Sequence, residues 1–331
     1  MEHLLEIQHL KVEFPSKAGN VHAVNDANLY VDKGETLGIV GESGCGKSVT
    51  LSCILNLVET PPAIIDGQIL FHGENILGKN EKEFNHIRGN RIAMIFQDPM
   101  SSLDPVIKVG NQIVEMIVKH KKLRKEVARE EAVRLLRLVG IPDPEERMKS
   151  YPHQLSGGMC QRVMIAMALS CEPELLLADE PTTALDVTIQ AQILGILNNI
   201  REELGTSVVI VTHDLGVVAN VATRIAVFYG GRVVEEGDTR SIFKNPLHPY
   251  TKGLMECIPT LQTEDEELKV IEGTVPDLSH MPSGCPFHPR CKFAAEACKE
   301  CVPERIEAEP GHFVSCHRQG KGEQGGEHEE E

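Results

Sequence analysis

Short, uninterrupted apolar runs punctuate this chain at wide intervals. Leu37–Val40, Ile92–Phe96, Leu175–Ala178, Val208–Thr212 and Ile225–Tyr229 carry almost no polar alternation. Such runs read as strands covered on both faces, the signature of a mainly parallel sheet. Between them lie segments with apolar residues at three- and four-residue spacing, such as Val187 to Leu204, which predict amphipathic helices. Strands alternating with helices predict an α/β fold. Residues 100–155 depart from this rhythm. They are rich in Lys, Arg and Glu, and Val109 to His120 and Lys125 to Val139 both carry helical periodicity.

The loop after the first apolar run carries the chemistry. It reads Gly41-Glu42-Ser43-Gly44-Cys45-Gly46-Lys47-Ser48 and leads into Val49-Thr50-Leu51, the start of a predicted helix. Strand, glycine-rich loop and helix in that order form a phosphate-binding loop. Glycines let the backbone wrap an anion without Cβ clashes. Successive N–H groups and the helix N-terminus then face the phosphates. Lys47 is placed to reach the β- and γ-phosphates of a nucleotide, and the Ser48 hydroxyl to coordinate Mg²⁺.

A second constellation narrows the class. Leu155-Ser156-Gly157-Gly158-Met159-Cys160-Gln161-Arg162 precedes an apolar helical run, Val163 to Leu169. Next, Leu175-Leu176-Leu177-Ala178 delivers Asp179-Glu180 at a strand's carboxyl end, where open α/β sheets hold their ligands. Asp179 is a candidate Mg²⁺ holder, and Glu180 a candidate to polarise the attacking water.

Together these motifs resemble the nucleotide-binding subunit of an ABC transporter, over residues 4 to about 235. The resemblance implies a P-loop ATPase core over residues 1–235, with an inserted helical subdomain at about 100–155. A groove in that subdomain would receive a short helix of a membrane subunit. Gln97 falls at the family's Q-loop, Ala184-Leu185-Asp186 at its D-loop, and His213 at its switch histidine. Phe14 stands where an aromatic stacks on adenine. By this resemblance Gly41, Ser43, Gly44, Cys45, Gly46, Lys47, Ser48, Val49 and Asp179 bind nucleotide, and Glu180, His213 and Gln97 are catalytic. Two such subunits, identical or homologous, pair head to tail. Ser156, Gly157, Gly158 and Asp186 then serve the partner's nucleotide. Cys160 departs from the basic or amide residue more usual at its position, beside the signature rather than within it, and is expected to be tolerated.

Charge and hydropathy agree. A net charge of −16 opposes nucleic acid as the main partner, and the absence of tryptophan leaves few stacking platforms. No stretch approaches the roughly 20 apolar residues of a membrane-spanning helix, and Met1 to Leu10 is polar and mixed, without a signal-peptide core. The expectation is a peripheral subunit on the cytoplasmic face of the membrane.

From residue 236 the composition changes. Gly237-Asp238-Thr239 reads as a turn, Thr263 to Glu267 as an acidic linker, and residues 319–331 as a disordered acidic tail. Ten cysteines are unevenly spread, and Cys285, Cys291, Cys298, Cys301 and Cys316 crowd into the segment from 285 to 316. In a reducing compartment a dense cysteine cluster favours metal over disulfides. The segment has too few apolar residues to form a core alone, so metal would contribute to its folding. Zinc accepts four thiolates, or thiolates with His288, His312 or His317, and an iron–sulfur cluster accepts four thiolates; the spacing matches no zinc knuckle, and metal-free packing thiols are a third reading.

The extension resembles that of oligopeptide and dipeptide transporter ATPases. Asn245-Pro246-Leu247-His248-Pro249-Tyr250-Thr251, Cys285-Pro286-Phe287-His288-Pro289-Arg290-Cys291 and Pro310-Gly311-His312-Phe313-Val314-Ser315-Cys316-His317 carry the likeness. It implies a [4Fe–4S] cluster on Cys285, Cys291, Cys298 and Cys316, with Cys301 spare and zinc as the alternative. It also implies two transmembrane permease subunits and an extracytoplasmic peptide-binding protein as partners. Related importers for nickel or glutathione share this ATPase plan, and a soluble non-transport ABC ATPase is a further open class. Because Lys47, Asp179 and Glu180 fall outside residues 236–318, nucleotide binding is expected to be independent of the cysteine segment.

Overall fold

The computed structural model describes residues 3–17, 19–183, 185–258 and 270–319. Ala184, the 263–267 stretch and the tail beyond Gln319 lie outside the described residues, and Gln319 itself closes a short 3₁₀ turn, His317–Gln319.

Twelve strands form two sheets among the described residues. They are β1 (Leu5–Phe14), β2 (Val21–Val31), β3 (Thr36–Val40), β4 (Ile64–Phe71), β5 (Glu74–Asn75), β6 (Ile92–Ile95), β7 (Leu175–Asp179), β8 (Ser207–Thr212), β9 (Arg224–Tyr229), β10 (Arg232–Asp238), β11 (Ile306–Glu309) and β12 (His312–Val314). The main sheet runs β11-β12-β10-β9-β3-β8-β7-β6, and a four-stranded antiparallel sheet runs β2-β1-β4-β5. Strands β9, β3, β8, β7 and β6 are parallel. All five residues of β3, of β7 and all six of β8 are buried, which is why each reads as an unbroken apolar run.

Pleating sends alternate residues to opposite cores. Leu175, Leu177, Val209 and Val211 pack with β1, β2 and β4 and the helix Lys47–Ile54. Leu176, Ala178, Val208 and Ile210 pack on the other face against Val163, Ile193 and Leu197. The helices Val109–Lys121 and Lys125–Leu138 join this second core through Val109, Ile113 and Ile117 and through Ala128, Ala132 and Leu135. Their spacing of three to four puts one stripe inward. No helix among the described residues is long and apolar enough to cross a membrane.

The C-terminal segment is joined to this sheet. Strand β12 pairs antiparallel with β10, Glu235 opposite Val314. Strand β10 spans the line drawn at residue 235, and Gly237 continues it rather than turning. Asp238 then caps the helix Thr239–Lys244. A third apolar cluster unites Ile225, Val227 and Tyr229 of β9 with Ile242, Tyr250, Cys285, Phe287 and Cys298.

Candidate functional site

The carboxyl ends of β3, β8, β7 and β6 stand side by side, and each delivers one part of the site. From β3 the chain enters the glycine loop. Gly46 takes φ 101°, and a Cβ there would lie 2.2 Å from the Ala23 carbonyl oxygen, so only glycine closes this turn. The helix Lys47–Ile54 follows at once. Lys47 is 4% exposed, and its ammonium donates to the carbonyls of Gly41 (2.7 Å) and Glu42 (2.9 Å). A charge held this close to the loop sits where phosphates would meet loop N–H groups and lysine together.

Ser48 Oγ donates to Asp179 Oδ1 at 2.8 Å. Burial first, then the neighbouring Glu180 charge, pushes the Asp179 carboxyl above its ordinary range. An oxygen pair with a buried carboxylate suits Mg²⁺, a hard cation that would relieve this penalty.

Glu180 is the centre of the next group. It has φ 45°, a conformation uncommon for a non-glycine residue, and its N–H donates to Val211 O at 2.9 Å. Gln97 Nε2 donates to Glu180 Oε2 at 2.8 Å, and Thr183 Oγ1 donates to the same oxygen at 2.9 Å. His213 Nδ1 stands 3.2 Å from Oε1. Burial raises the Glu180 carboxyl, but the hydrogen bonds from Thr183 and His213 outweigh it, leaving the group below its ordinary range and ionised at neutral pH. Three residues far apart in sequence, Gln97, Glu180 and His213, thus share one carboxylate. Thr183 joins them, and only its place in the Pro181-Thr182-Thr183 run after Glu180 hinted at it.

Ser156, exposed, caps the helix Gly157–Leu169, accepting from Met159 N at 3.4 Å. Among the described residues no hydrogen bond joins Ser156, Gly157 or Gly158 to the glycine loop. Buried Gln161, which the motif reading passed over, donates to Pro181 O at 2.8 Å and ties this helix to the turn after Glu180. Cys160 is fully buried, its thiol 3.4 Å from Pro152 O, so its departure from pattern is a packing position. Asp186 caps the helix Val187–Leu204, accepting from Ile189 N. Phe14 ends β1, half-buried against the first core.

Cys285 and Cys298 are buried, Cys291 and Cys316 half-buried and Cys301 exposed. The Cys285 N–H donates to Cys298 O at 2.8 Å. Burial pushes the Cys285 thiol up to about 11. Cys301 instead lies near Ala297 O and His317 Nε2. Among the described residues no three His, Cys, Asp or Glu side chains form a group that could hold a metal ion. Neither the iron–sulfur nor the zinc expectation therefore finds a ligand set among the described residues.

Comparison with known proteins was consistent along the chain. The family pattern described as "ABC transporter" matches residues 24–183. That described as "Oligopeptide/dipeptide transporter, C-terminal region" matches residues 234–298, taking in three of the four cysteines and ending before Cys316. The oligopeptide transport ATP-binding protein OppD of Bacillus subtilis (strain 168) is 51% identical over 313 residues, covering 94% of this chain and 87% of that protein. The dipeptide transport ATP-binding protein DppD of the same organism is 50% identical, covering 96% of this chain and 95% of that one. A solved dimeric ATP-binding cassette in a post-hydrolysis state, bound to ADP and Pi, is 29% identical with a TM-score of 0.64, covering 71% of this chain and 99% of that one.

Proposed function

The chain belongs to the family of ATP-binding subunits of oligopeptide and dipeptide ABC transporters, and on that premise we propose how its residues drive peptide import. It is an ATPase, peripheral to two membrane-spanning permease subunits and served by an external peptide-binding protein. The meeting of Gln97, Thr183 and His213 on the Glu180 carboxylate, beside the Lys47 loop, is the observation that carries the mechanism.

ATP enters with its phosphates on the loop N–H groups and the Lys47 ammonium. Ser48 and Asp179 would hold Mg²⁺, which would supply positive charge to offset that of the phosphates. Glu180, ionised and fixed by Thr183, accepts a proton from the attacking water. Gln97 and His213 hold that carboxylate in place and stand where they sense the γ-phosphate. Ser156, Gly157 and Gly158 at their helix N-terminus face a second subunit's nucleotide, so each site is completed by a partner and closes on ATP. Phe14 supports the adenine ring.

Coupling to the membrane runs through a groove of about 190 Å³ between the core and the helical subdomain. Leu57, Met94, Phe96, Met116 and Met164 line it. Exposed Leu57 and Phe96 give it the apolar floor that a short permease helix needs.

Four cysteine thiolates are the donor set a [4Fe–4S] cluster takes, and the likeness of the extension to that of peptide-transporter ATPases is what supports the cluster here. Cys285, Cys291, Cys298 and Cys316 would hold it, and Cys301 would not. Its contribution would be structural, helping to fold a segment poor in apolar residues.

The test is reconstitution with the cognate permeases in vesicles. ATP hydrolysis should rise on assembly, and peptide supplied with the binding protein should accumulate in an ATP-dependent manner. Full hydrolysis by dilute isolated chain, with no gain on assembly, would contradict the two-chain site.

A further inference from the structure

Glu42 is the second residue of the glycine loop, and three groups hold it. Its carbonyl accepts from Lys47 Nζ. Its N–H donates to Tyr250 Oη at 2.9 Å. Its carboxylate takes both arms of the Arg290 guanidinium, at 2.7 and 3.1 Å. Two of these three holders come from the C-terminal extension, more than 200 residues downstream.

Arg290 is built into that position. Its side chain is 4% exposed. Nε donates to Glu272 O at 3.0 Å, Nη2 to Ile271 O at 3.2 Å and Nη1 to Tyr229 Oη at 3.3 Å. The guanidinium lies 5.8 Å from the Tyr229 ring centre and 6.0 Å from that of Phe287. Tyr250, fully buried, packs on both rings, at 4.6 and 5.4 Å. A buried ion pair is a weak way to add stability, since apolar side chains of the same volume do as well. What a bidentate fork adds is a fixed geometry. Here the fixed element is the backbone that places Lys47.

We propose that Arg290 is a positioning residue for ATP binding: with Tyr250 it fixes Glu42, so the cysteine-rich extension forms the outer wall of the phosphate loop. The expected independence of core and cysteine segment is therefore replaced by direct contact. Arg290 is the immediate neighbour of Cys291, so folding of the thiol group is transmitted to the loop through one peptide bond. This inference rests on the reading of the loop as a nucleotide site.

The experiment compares full-length wild type with Arg290→Gln, Arg290→Lys, Glu42→Gln, Tyr250→Phe and the Arg290→Gln/Glu42→Gln double variant. Affinity for a fluorescent ATP analogue and thermal melting are measured on each, and KM and kcat in the assembled transporter. Arg290→Gln should weaken nucleotide binding roughly tenfold, the loss of one bidentate charged contact, with KM rising more than kcat falls. Arg290→Lys should recover part of the affinity, as it keeps the charge without the fork. Tyr250→Phe, which removes one hydroxyl, should weaken binding by a few fold without unfolding. The double variant should bind no worse than Arg290→Gln alone. Unchanged affinity in folded Arg290→Gln and Tyr250→Phe would overturn the proposal, as would additive losses in the double variant. Wild type that fails to bind the analogue would instead overturn the nucleotide reading itself.

Discussion

His248 makes the attachment of the extension sensitive to mild acid. Its Nδ1 accepts from Tyr250 N at 3.1 Å, capping the helix Pro249–Glu256, so that nitrogen must carry no proton. The ring is 1% exposed. Burial holds its pKa down to about 4, against an ordinary 6.5, and the Glu235 charge pulls it only weakly upward. The folded state thus favours neutral histidine. Its stabilising effect is complete above pH 6.5 and drains as the pH falls toward 4, where the folded protein also takes up the proton. A gap of about 2.5 units at about 1.4 kcal/mol each gives about 3 kcal/mol in all, and about 2 kcal/mol of it falls between pH 7 and pH 5. The chain has no tryptophan, and two of its four tyrosines, Tyr229 and Tyr250, pack together in this cluster, so tyrosine emission reports on it. Urea unfolding followed this way should show wild type losing about 2 kcal/mol more than His248→Asn over that interval, since asparagine caps a helix without titrating. Parallel loss in the two proteins would refute the reasoning, whatever the absolute stability of the variant.

Glu180→Gln should keep ATP binding while hydrolysis in the assembled transporter falls about 100-fold or more, because the proton acceptor is gone and Lys47 remains. Phosphate release beside analogue binding measures both, and near-normal turnover would remove Glu180 from its role. Lys47→Ala should raise the Kd for ATP by about tenfold or more, as the loop loses a charge-assisted contact to the phosphates. Equal affinity in a titration with labelled nucleotide would count against the loop. Cys298→Ser should abolish iron and acid-labile sulfide in anaerobically purified protein and expose residues 285–318 to protease, whereas Cys301→Ser should do neither. Stoichiometric zinc with no sulfide would exclude the cluster.

Much of the core was legible because its chemistry is local. The parallel strands announce themselves as apolar runs, since both faces are covered, and the glycine loop, Asp179-Glu180 and His213 each sit at the end of such a run. Val187–Leu204 matches the predicted helix end to end. Strand β10 was not legible. The domain line drawn at residue 235 cuts through it and Gly237-Asp238 read as a turn, while Glu235 and Glu236, each 1% exposed, give no apolar signal. Glu235 accepts from Leu247 N, His248 N and His312 Nε2, and Glu236 pairs with Arg224 and Arg305. A buried carboxylate is distinguishable from an exposed one only by partners that lie elsewhere in the chain. The antiparallel sheet was missed for a related reason, as β1 pairs with β2 and β4 through shifted registers that blur its alternation. The grip of Arg290 and Tyr250 on Glu42 has no local signature at all.

Strand β10 also sets a timetable for synthesis. Its outer edge is covered by β12, whose last residue, Val314, leaves the ribosome 76 residues after Asp238 (314 − 238). At about 5–20 residues per second, that leaves about 4–15 s during which the sheet ends in an open edge. The edge is a template for pairing with another nascent chain. Glu235 and Glu236, still without His312 and Arg305, keep part of their charge uncompensated in that interval, and charge at an open edge discourages such pairing. The same two carboxylates that cross-link the finished sheet thus guard the unfinished one, and a transcript truncated before residue 312 should yield a chain that aggregates less than its Glu235→Val/Glu236→Val counterpart.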